Sequence, residues 1–207
     1  MRPLRAAAVA LALVSAAPGA LATEAVAPRG TRPQRMRIGE GRALDDASER
    51  WFTNLEVVDQ DGRRHRFYRD LVRGHVVIIN FGFTSCTTVC SPATHNLAKV
   101  RARLGARVGK DVRLITLTVD PVNDTPAKLK AFAARHGAAA PGWYFLTGSP
   151  ENVTALLAKL GGAVPKPSEH SMALLVGDAA TGNWLKTISM DRPETIAWLV
   201  EHIDDPE

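Results

Sequence analysis

The chain has 207 residues, a formal net charge of +5 and only two cysteines. This length allows one domain with a substantial apolar core. The positive charge is modest, and the sequence contains neither a basic helix nor interleaved basic and aromatic residues, so nucleic acid is not an expected partner. Two cysteines also exclude the class of small exported domains that several disulfides hold together.

The first 22 residues have the pattern of a secretory signal peptide. They begin with the basic stretch MRPLR, continue with an apolar run over residues 6–17 and end in an A-x-A cleavage motif at residues 20–22. The apolar run is shorter than the roughly 20 residues that a membrane span needs. We therefore expect cleavage, a mature chain that begins near Thr23 and export to the periplasm. The alternative is a protein anchored in the membrane by residues 6–17.

Residues 23–50 are predicted to be a disordered linker. Their basic stretch, residues 28–37, is poor in apolar side chains and rich in arginine, proline and glycine. The folded domain is then expected to span residues 51–207.

The first half of this domain is predicted to hold three strands, one helix and a fourth strand. Two short strands flank a turn at residues 61–62, and residues 75–83 form an almost continuous apolar run. Such a run is typical of a strand that is buried on both faces. A helix over residues 92–104 and a buried strand over residues 112–119 follow.

The second half predicts two further helices with a strand between them, then a hairpin and a last helix. The helices are expected to begin near Pro126, Pro150 and Pro193, because a proline suits the first helical turn. The strands are expected at residues 143–146, 172–176 and 184–190. The order β-β-β-α-β-α-β-α-β-β-α predicts an α/β fold, with a mixed sheet flanked by helices and an extra N-terminal β-hairpin.

Both cysteines lie in the stretch FTSCTTVCSPATH, between the end of the buried strand and the start of the next helix. Unpaired N–H groups at a helix N-terminus favour the thiolate form of a cysteine. A disulfide between Cys86 and Cys90 would close a very small loop and constrain the unfolded chain little. The pair therefore indicates chemistry, and both thiol–disulfide exchange and the binding of a soft metal, Cu(I) or Zn(II), fit it.

Two thiolates need a further ligand to hold a metal, and the chain has six histidines. His95 lies on the same predicted helix as the cysteines, and His170 lies just before a predicted strand in EHSMALLV. The others are expected at the surface: His65, His75, His136 and His202. Spacing alone leaves both His95 and His170 as weak candidates.

Three motifs, NFGFTSCTTVC, TVDPVNDTP and HSMALLV, occur in this order and resemble the Sco/SenC family of copper metallochaperones. The likeness runs from about residue 51 to residue 203. It implies a thioredoxin-like fold and a role in assembling the dinuclear copper site of cytochrome c oxidase. Three departures bear on the partner surface. Ser91 stands where the family usually has proline, Thr88 stands where it commonly has aspartate, and the stretch before His170 is short and lacks the tyrosine often found there.

The resemblance implies that Cys86, Cys90 and His170 bind copper, as Cu(I) held by two thiolates and one imidazole. It also places Asp120 and Asp124 of the DPxxDT motif near the site. We expect Asp120 either to orient His170 or bias the proton affinity of the thiols, or to be a turn residue at the end of the strand, next to Pro121. Asp124 is more simply interpreted as a helix cap.

The partners that the resemblance implies are the copper-site subunit of cytochrome c oxidase, other copper chaperones and an exported thiol reductase. The alternative function is a thiol-disulfide oxidoreductase that keeps the copper-site cysteines of the oxidase reduced. In that case Cys86 would be the nucleophile and Cys90 the resolving thiol. Such enzymes usually carry a cis-proline near the cysteines, and its absence before His170 favours metal binding. Met172, on the same predicted strand face as His170, is expected in the core.

Overall fold

The computed structural model describes residues 34–37, 44–86 and 88–205. The strands are β1 Gln34–Arg37, β2 Glu56–Val58, β3 Arg64–Arg66, β4 Val76–Gly82, β5 Val112–Thr118, β6 Trp143–Leu146, β7 Ala173–Asp178 and β8 Asn183–Ile188. The helices are α1 Leu44–Phe52, α2 Cys90–Leu104, α3 Pro126–Arg135, α4 Pro150–Leu160 and α5 Pro193–Glu201. A π-helical turn, Phe67–Val72, directly follows β3.

Six of these strands form one mixed sheet in the order β1-β8-β7-β4-β5-β6. In its centre β4 pairs in parallel with β5 and antiparallel with β7. The strands β2 and β3 form a separate antiparallel hairpin. These findings confirm the predicted thioredoxin-like arrangement of a mixed sheet flanked by helices, with the extra hairpin before it.

The central strand β4 is buried along its whole length, as its apolar sequence predicts. Successive side chains of a strand point to opposite faces of the sheet. Ile78 therefore joins a core with α2, α3 and α5, whereas Val77 and Ile79 join a second core with α1, the π-helical turn and α4. We refer to the two sides as the α2–α5 face and the α1–α4 face.

Strand β1 and helix α1 lie within residues 23–50, apart from the last two residues of α1, and for these two elements the prediction of a disordered linker is wrong. Strand β1 extends the sheet by backbone pairing with β8, which requires no apolar side chains. Helix α1 ends in Phe52, whose ring lies 4.5 Å from that of Trp184 and 6.2 Å from that of Tyr68, between centroids. A single buried ring is a weak signal in a polar sequence, so the helix is not evident from composition.

The predicted signal peptide, residues 1–22, and the remaining part of the predicted linker lie outside the described residues. Within the described ranges, none of the helices combines the length and the apolar character that a membrane crossing requires.

The hairpin β2–β3 is held by a buried carboxylate in its turn. Asp59 accepts hydrogen bonds from the backbone N–H groups of Asp61 and Arg63, and its second oxygen lies 2.8 Å from Nε2 of His65. Only 17% of the His65 side chain is exposed. The expectation of a solvent-facing His65 is therefore wrong, because its side chain lies against Asp59 and edge-on to the ring of Tyr144.

Candidate metal centre

A buried carboxylate supports the loop that leads from β4 to the cysteines. Asp124 is 2% exposed and accepts hydrogen bonds from the N–H and hydroxyl of Thr84 and from the hydroxyl of Thr118. Because Thr84 precedes Cys86 by two residues, Asp124 sets the path of the chain into the cysteine segment. The cap of α3 is Thr125, which accepts from the N–H of Lys128, so the interpretation of Asp124 as the cap is wrong.

The two cysteines lie at the start of α2 as free thiols. Cys90 is the first residue of the helix, and its backbone N–H donates to Sγ of Cys86 over 3.3 Å. Cys86 is 9% exposed and Cys90 is 5% exposed. Both sulfurs are thus shielded from bulk water, and a helix N-terminus faces Cys86.

The two thiols differ in their affinity for a proton. Burial would raise the pKa of Cys86, but hydrogen bonds from the Cys90 thiol and from the backbone N–H groups of Thr88, Cys90 and Val89 together lower it below its usual value. Burial, followed by the hydrogen bond to Cys86, raises the pKa of Cys90 to about 12. Cys86 is therefore the thiol that ionises first, and Cys90 keeps its proton.

His170 lies 80 residues after Cys90 in the sequence and directly follows a short turn formed by Pro167–Glu169. Its Nδ1 lies 3.0 Å from the carbonyl oxygen of Pro167, and its Nε2 lies 3.3 Å from Sγ of Cys90. A carbonyl can only accept, so Nδ1 carries the proton and Nε2 presents its lone pair to the sulfur. The ring also stands edge-on to Phe83, with centroids 5.3 Å apart.

These side chains form a compact triad of metal-binding atoms. The two sulfurs and the nitrogen of His170 all lie within 4.8 Å of one another. With metal–sulfur bonds of about 2.3 Å and metal–nitrogen bonds of about 2.0 Å, three ligands around one ion stand about 3.5–4 Å apart. Small side-chain adjustments would therefore enclose an ion, and a set of two thiolates and one imidazole suits a soft metal such as Cu(I).

Asp120 is a turn residue after β5, which is the second of the two roles that the sequence leaves open for it. Its carboxylate accepts hydrogen bonds of 2.9 and 3.0 Å from the side-chain amide of Asn123, in the turn after β5. The carbonyl of Pro167 orients His170 instead. The carboxylate whose charge raises the pKa of Cys90 is Asp124 and not Asp120. The supporting acid of the DPxxDT motif is thus its second aspartate, which sequence reasoning missed because burial is not visible in the motif.

Two other candidates also differ from expectation. Met172 is 38% exposed, so the prediction of a core methionine is wrong. His95 packs against His136 with ring centroids 5.1 Å apart and is not part of the triad. In the part of the chain that the structure describes, the triad is the only group of three or more Cys, His, Asp or Glu side chains that could hold a metal ion.

Comparison with known proteins shows which family this chain resembles. The model of the SCO1/SenC family matches residues 46–194. The SCO1 protein homolog of Bacillus subtilis is 39% identical over 90 residues, which cover 44% of this chain and 45% of that protein. The chain thus spans about half the length of the first curated relatives that it matches.

Solved structures show the same fold. BsSco, described as a member of the Sco family of cytochrome c oxidase assembly proteins, is 28% identical, with a TM-score of 0.61 over 73% of this chain and 92% of that chain. ScoI of Arabidopsis thaliana, solved with copper bound, is 21% identical, with a TM-score of 0.60 over 73% of this chain and 97% of that chain. Since the family model covers well over half of its residues, the chain belongs to the SCO1/SenC family.

Proposed function

We propose that this protein is an exported copper metallochaperone that assists assembly of the dinuclear copper site of cytochrome c oxidase. The observation that carries the proposal is the convergence of Cys86, Cys90 and His170 within 4.8 Å in a chain of the SCO1/SenC family. ScoI, which was solved with copper bound, has the same fold. BsSco is described as a member of a family of cytochrome c oxidase assembly proteins.

In this proposal copper is cargo, and Cu(I) is held by two thiolates and one imidazole. Cys86, the more acidic thiol, captures the ion as a thiolate. Cys90 loses its proton as it binds, so loading releases protons to the solvent. His170 completes the set with Nε2, since Nδ1 is already committed to the carbonyl of Pro167.

The position of His170 suits transfer to another protein. The segment between α4 and His170 is mostly exposed, whereas both cysteines are buried. Release of the imidazole would open one side of the ion while the thiolates still hold it. The thiolates of the copper-site subunit of the oxidase could then replace Cys86 and Cys90 by ligand exchange.

The compartment sets a condition on the partners. In an exported, oxidising environment the two thiols can form a disulfide, which leaves no thiolate to bind copper. The proposal therefore includes an exported thiol reductase that keeps Cys86 and Cys90 reduced. Other copper chaperones would supply the ion.

The mass of the protein recovered from the periplasm tests the export step. A mass that matches a chain beginning near Thr23 supports export with cleavage. A mass that matches a chain beginning at Met1 contradicts cleavage.

One observation favours a second candidate, a thiol-disulfide oxidoreductase acting on the same oxidase cysteines. The lowered pKa of Cys86 and the raised pKa of Cys90 are the asymmetry that such exchange uses. The Cys86 thiolate would attack a client disulfide, releasing one client thiolate. Cys90 would then break the mixed disulfide, leaving the client with two thiols and this chain with a Cys86–Cys90 disulfide. This reaction does not need His170. The cis-proline that such enzymes usually carry has no counterpart among the described residues, which contain no cis peptide bond.

An anaerobic Cu(I) titration of the reduced protein distinguishes the two functions. We expect one tight equivalent that Cys86→Ser and His170→Ala both weaken. His75→Ala is the matched control, because His75 precedes β4 at the end of that strand opposite to the cysteines. Weak binding by the unchanged protein, or full affinity in His170→Ala, would contradict the copper site. Turnover of a disulfide substrate by that same variant would then support the oxidoreductase.

A further inference from the structure

Two histidines outside the triad lie ring against ring beside the metal centre. His95 is on α2, and His136 directly follows the last residue of α3. Their ring centroids are 5.1 Å apart and the ring planes meet at 83°. His95 is exposed and His136 is partly buried. The proposed copper transfer uses neither of them.

The hydrogen bonding of His136 leaves one ring nitrogen without a partner. Nε2 lies 3.3 Å from the hydroxyl oxygen of Ser91, whereas Nδ1 is buried and has no hydrogen-bond partner among the described residues. A proton on Nδ1 would bury an N–H group without an acceptor, which is unfavourable. The proton therefore belongs on Nε2, which donates to Ser91, and Nδ1 keeps a free lone pair.

This arrangement is that of a histidine prepared to bind a metal. A metal-binding imidazole uses one nitrogen as the ligand and donates the N–H of the other to a nearby acceptor, which fixes its tautomer and orientation. In His136 the acceptor is Ser91, the residue directly after Cys90. Nδ1 of His136 is one of eight buried side-chain polar atoms without a partner among the described residues, and it is the only imidazole nitrogen among them.

The separation of the two rings matches that of two imidazoles on one ion. Metal–nitrogen bonds of about 2.0–2.1 Å place each ring centroid about 3.2 Å from the metal. Two rings bound at the angle of about 90° that Cu²⁺ favours then have centroids about 4.5 Å apart, and two rings bound at a tetrahedral angle about 5.2 Å apart. The 5.1 Å that separates His95 and His136 therefore requires only a small movement of one ring to suit Cu²⁺. Because His95 is exposed, its ring can turn a nitrogen toward the ion without disturbing the core.

We propose that His95 and His136 form a second metal site, which binds a divalent ion through two imidazoles and prefers Cu²⁺. Imidazole ligands suit Cu²⁺, Ni²⁺ and Zn²⁺, and the general order of stability places Cu²⁺ first. Solvent fills the remaining positions on the side of the exposed His95. The site goes beyond the proposed Cu(I) transfer and does not depend on it, because it uses no thiol.

The test is a Cu²⁺ titration of the full protein in a Cys86→Ser, Cys90→Ser background, followed by electron paramagnetic resonance. This background removes the thiolates of the triad and their ability to reduce Cu²⁺. We expect one equivalent with coupling to two imidazole nitrogens. His95→Ala should weaken binding at least about tenfold, and Ser91→Ala about tenfold, since loss of an outer hydrogen-bond partner typically has that effect.

Two control variants in the same background locate the ion. His75→Ala and His202→Ala should leave the affinity unchanged. Full affinity in His95→Ala, or loss of binding in either control, would overturn the proposal. His136 packs against Phe132 with ring centroids 4.4 Å apart, so His136→Ala can also destabilise the fold. Its affinity is therefore interpreted only if its thermal unfolding curve matches that of the background protein. His95 is exposed, so His95→Ala does not need this control. Failure of the Cu(I) site in the unchanged protein would not affect any of these outcomes.

Discussion

The two faces of the sheet are built from similar apolar side chains but have different uses. On the α1–α4 face, the rings of Phe52, Phe67 and Trp184 pack with aliphatic side chains. On the α2–α5 face, the buried cluster also includes Cys86 and Cys90. The thiols are therefore part of a hydrophobic core, and the candidate metal centre lies on one face of the sheet only.

This difference explains how one small domain can hold a reactive pair. The cysteines are kept from bulk water by the core around them, and the buried Asp124 supports the loop before them. The opposite face has no such task and can supply stability through packing alone. Substitutions on the two faces should thus separate copper affinity from stability, and the following predictions run from the largest expected effect to the smallest.

Replacing Cys90 by serine should lower the affinity for Cu(I) by roughly a thousandfold or more. The binding free energy of a thiolate metal site, about 10–16 kcal/mol, is shared by three or four ligands, so one ligand accounts for about 4 kcal/mol. A competition titration with a Cu(I) chelator measures the change. Urea unfolding should show that the metal-free variant stays folded, and an affinity within tenfold of the unchanged protein would contradict the assignment of Cys90.

On the opposite face, Gly177→Ala should destabilise the protein by about 1–3 kcal/mol, because overpacking forces buried groups apart. A β-carbon at Gly177 would stand 2.1 Å from an atom of the Trp184 indole, which is 1% exposed. Urea unfolding of the metal-free protein measures the effect. The comparison between faces fails if this variant is as stable as the unchanged protein, or if its Cu(I) affinity falls while it is folded.

Asp124→Asn tests whether Asp124 supports the loop before the cysteines. It should lower the free energy of unfolding by about 1–2 kcal/mol, since hydrogen bonds to a charged acceptor are replaced by weaker ones. Asp120→Asn is the matched control and should change stability by less than about 0.5 kcal/mol, as surface substitutions usually do. Removing the charge of Asp124 should also lower the pKa of Cys90, because that charge adds to the effect of burial in raising it. Equal changes in stability in the two variants would show that Asp124 does not support the cysteine loop more than Asp120 does.

Within the centre, the two thiols should differ in their rate of alkylation. The thiolate is the reactive form, so Cys86, with its lowered pKa, should be alkylated by iodoacetamide near pH 8 while Cys90, with a pKa of about 12, stays unmodified. The rate at Cys86 should rise with pH and level off once its lowered pKa is passed. Peptide mass spectrometry reads both sites, and equal rates at pH 8 would contradict the asymmetry.

Much of the fold was predictable because its signals are local. The apolar run of β4 requires burial on both faces whatever packs against it. Thr125 and Ser149, each followed by proline, cap α3 and α4 by hydrogen bonds to N–H groups only three residues away. The position of Cys86 and Cys90 between a strand end and a helix start is equally local, and the order of residues along the chain is enough to indicate thiolate chemistry there.

The resemblance to a known family supplied the third residue of the triad, since spacing alone could not choose between His95 and His170. That choice depends on the fold, which brings His170 within 3.3 Å of Cys90 although 80 residues separate them. The same holds for Asp120 and Asp124, which belong to one motif: only the buried one reaches Thr84. Strand β1 and α1 were missed because they depend on the edge of β8 and on the ring of Trp184.

The sequence by itself therefore determined the order of elements from β2 to α5, the prolines at which α3, α4 and α5 begin and the place of the reactive thiols, because each follows from neighbours along the chain. Only the tertiary structure decided which imidazole meets the thiols, which carboxylate supports them and which thiol is the more acidic. These depend on burial and on distances between atoms far apart in sequence, and such distances are set by the packing of the sheet and its helices.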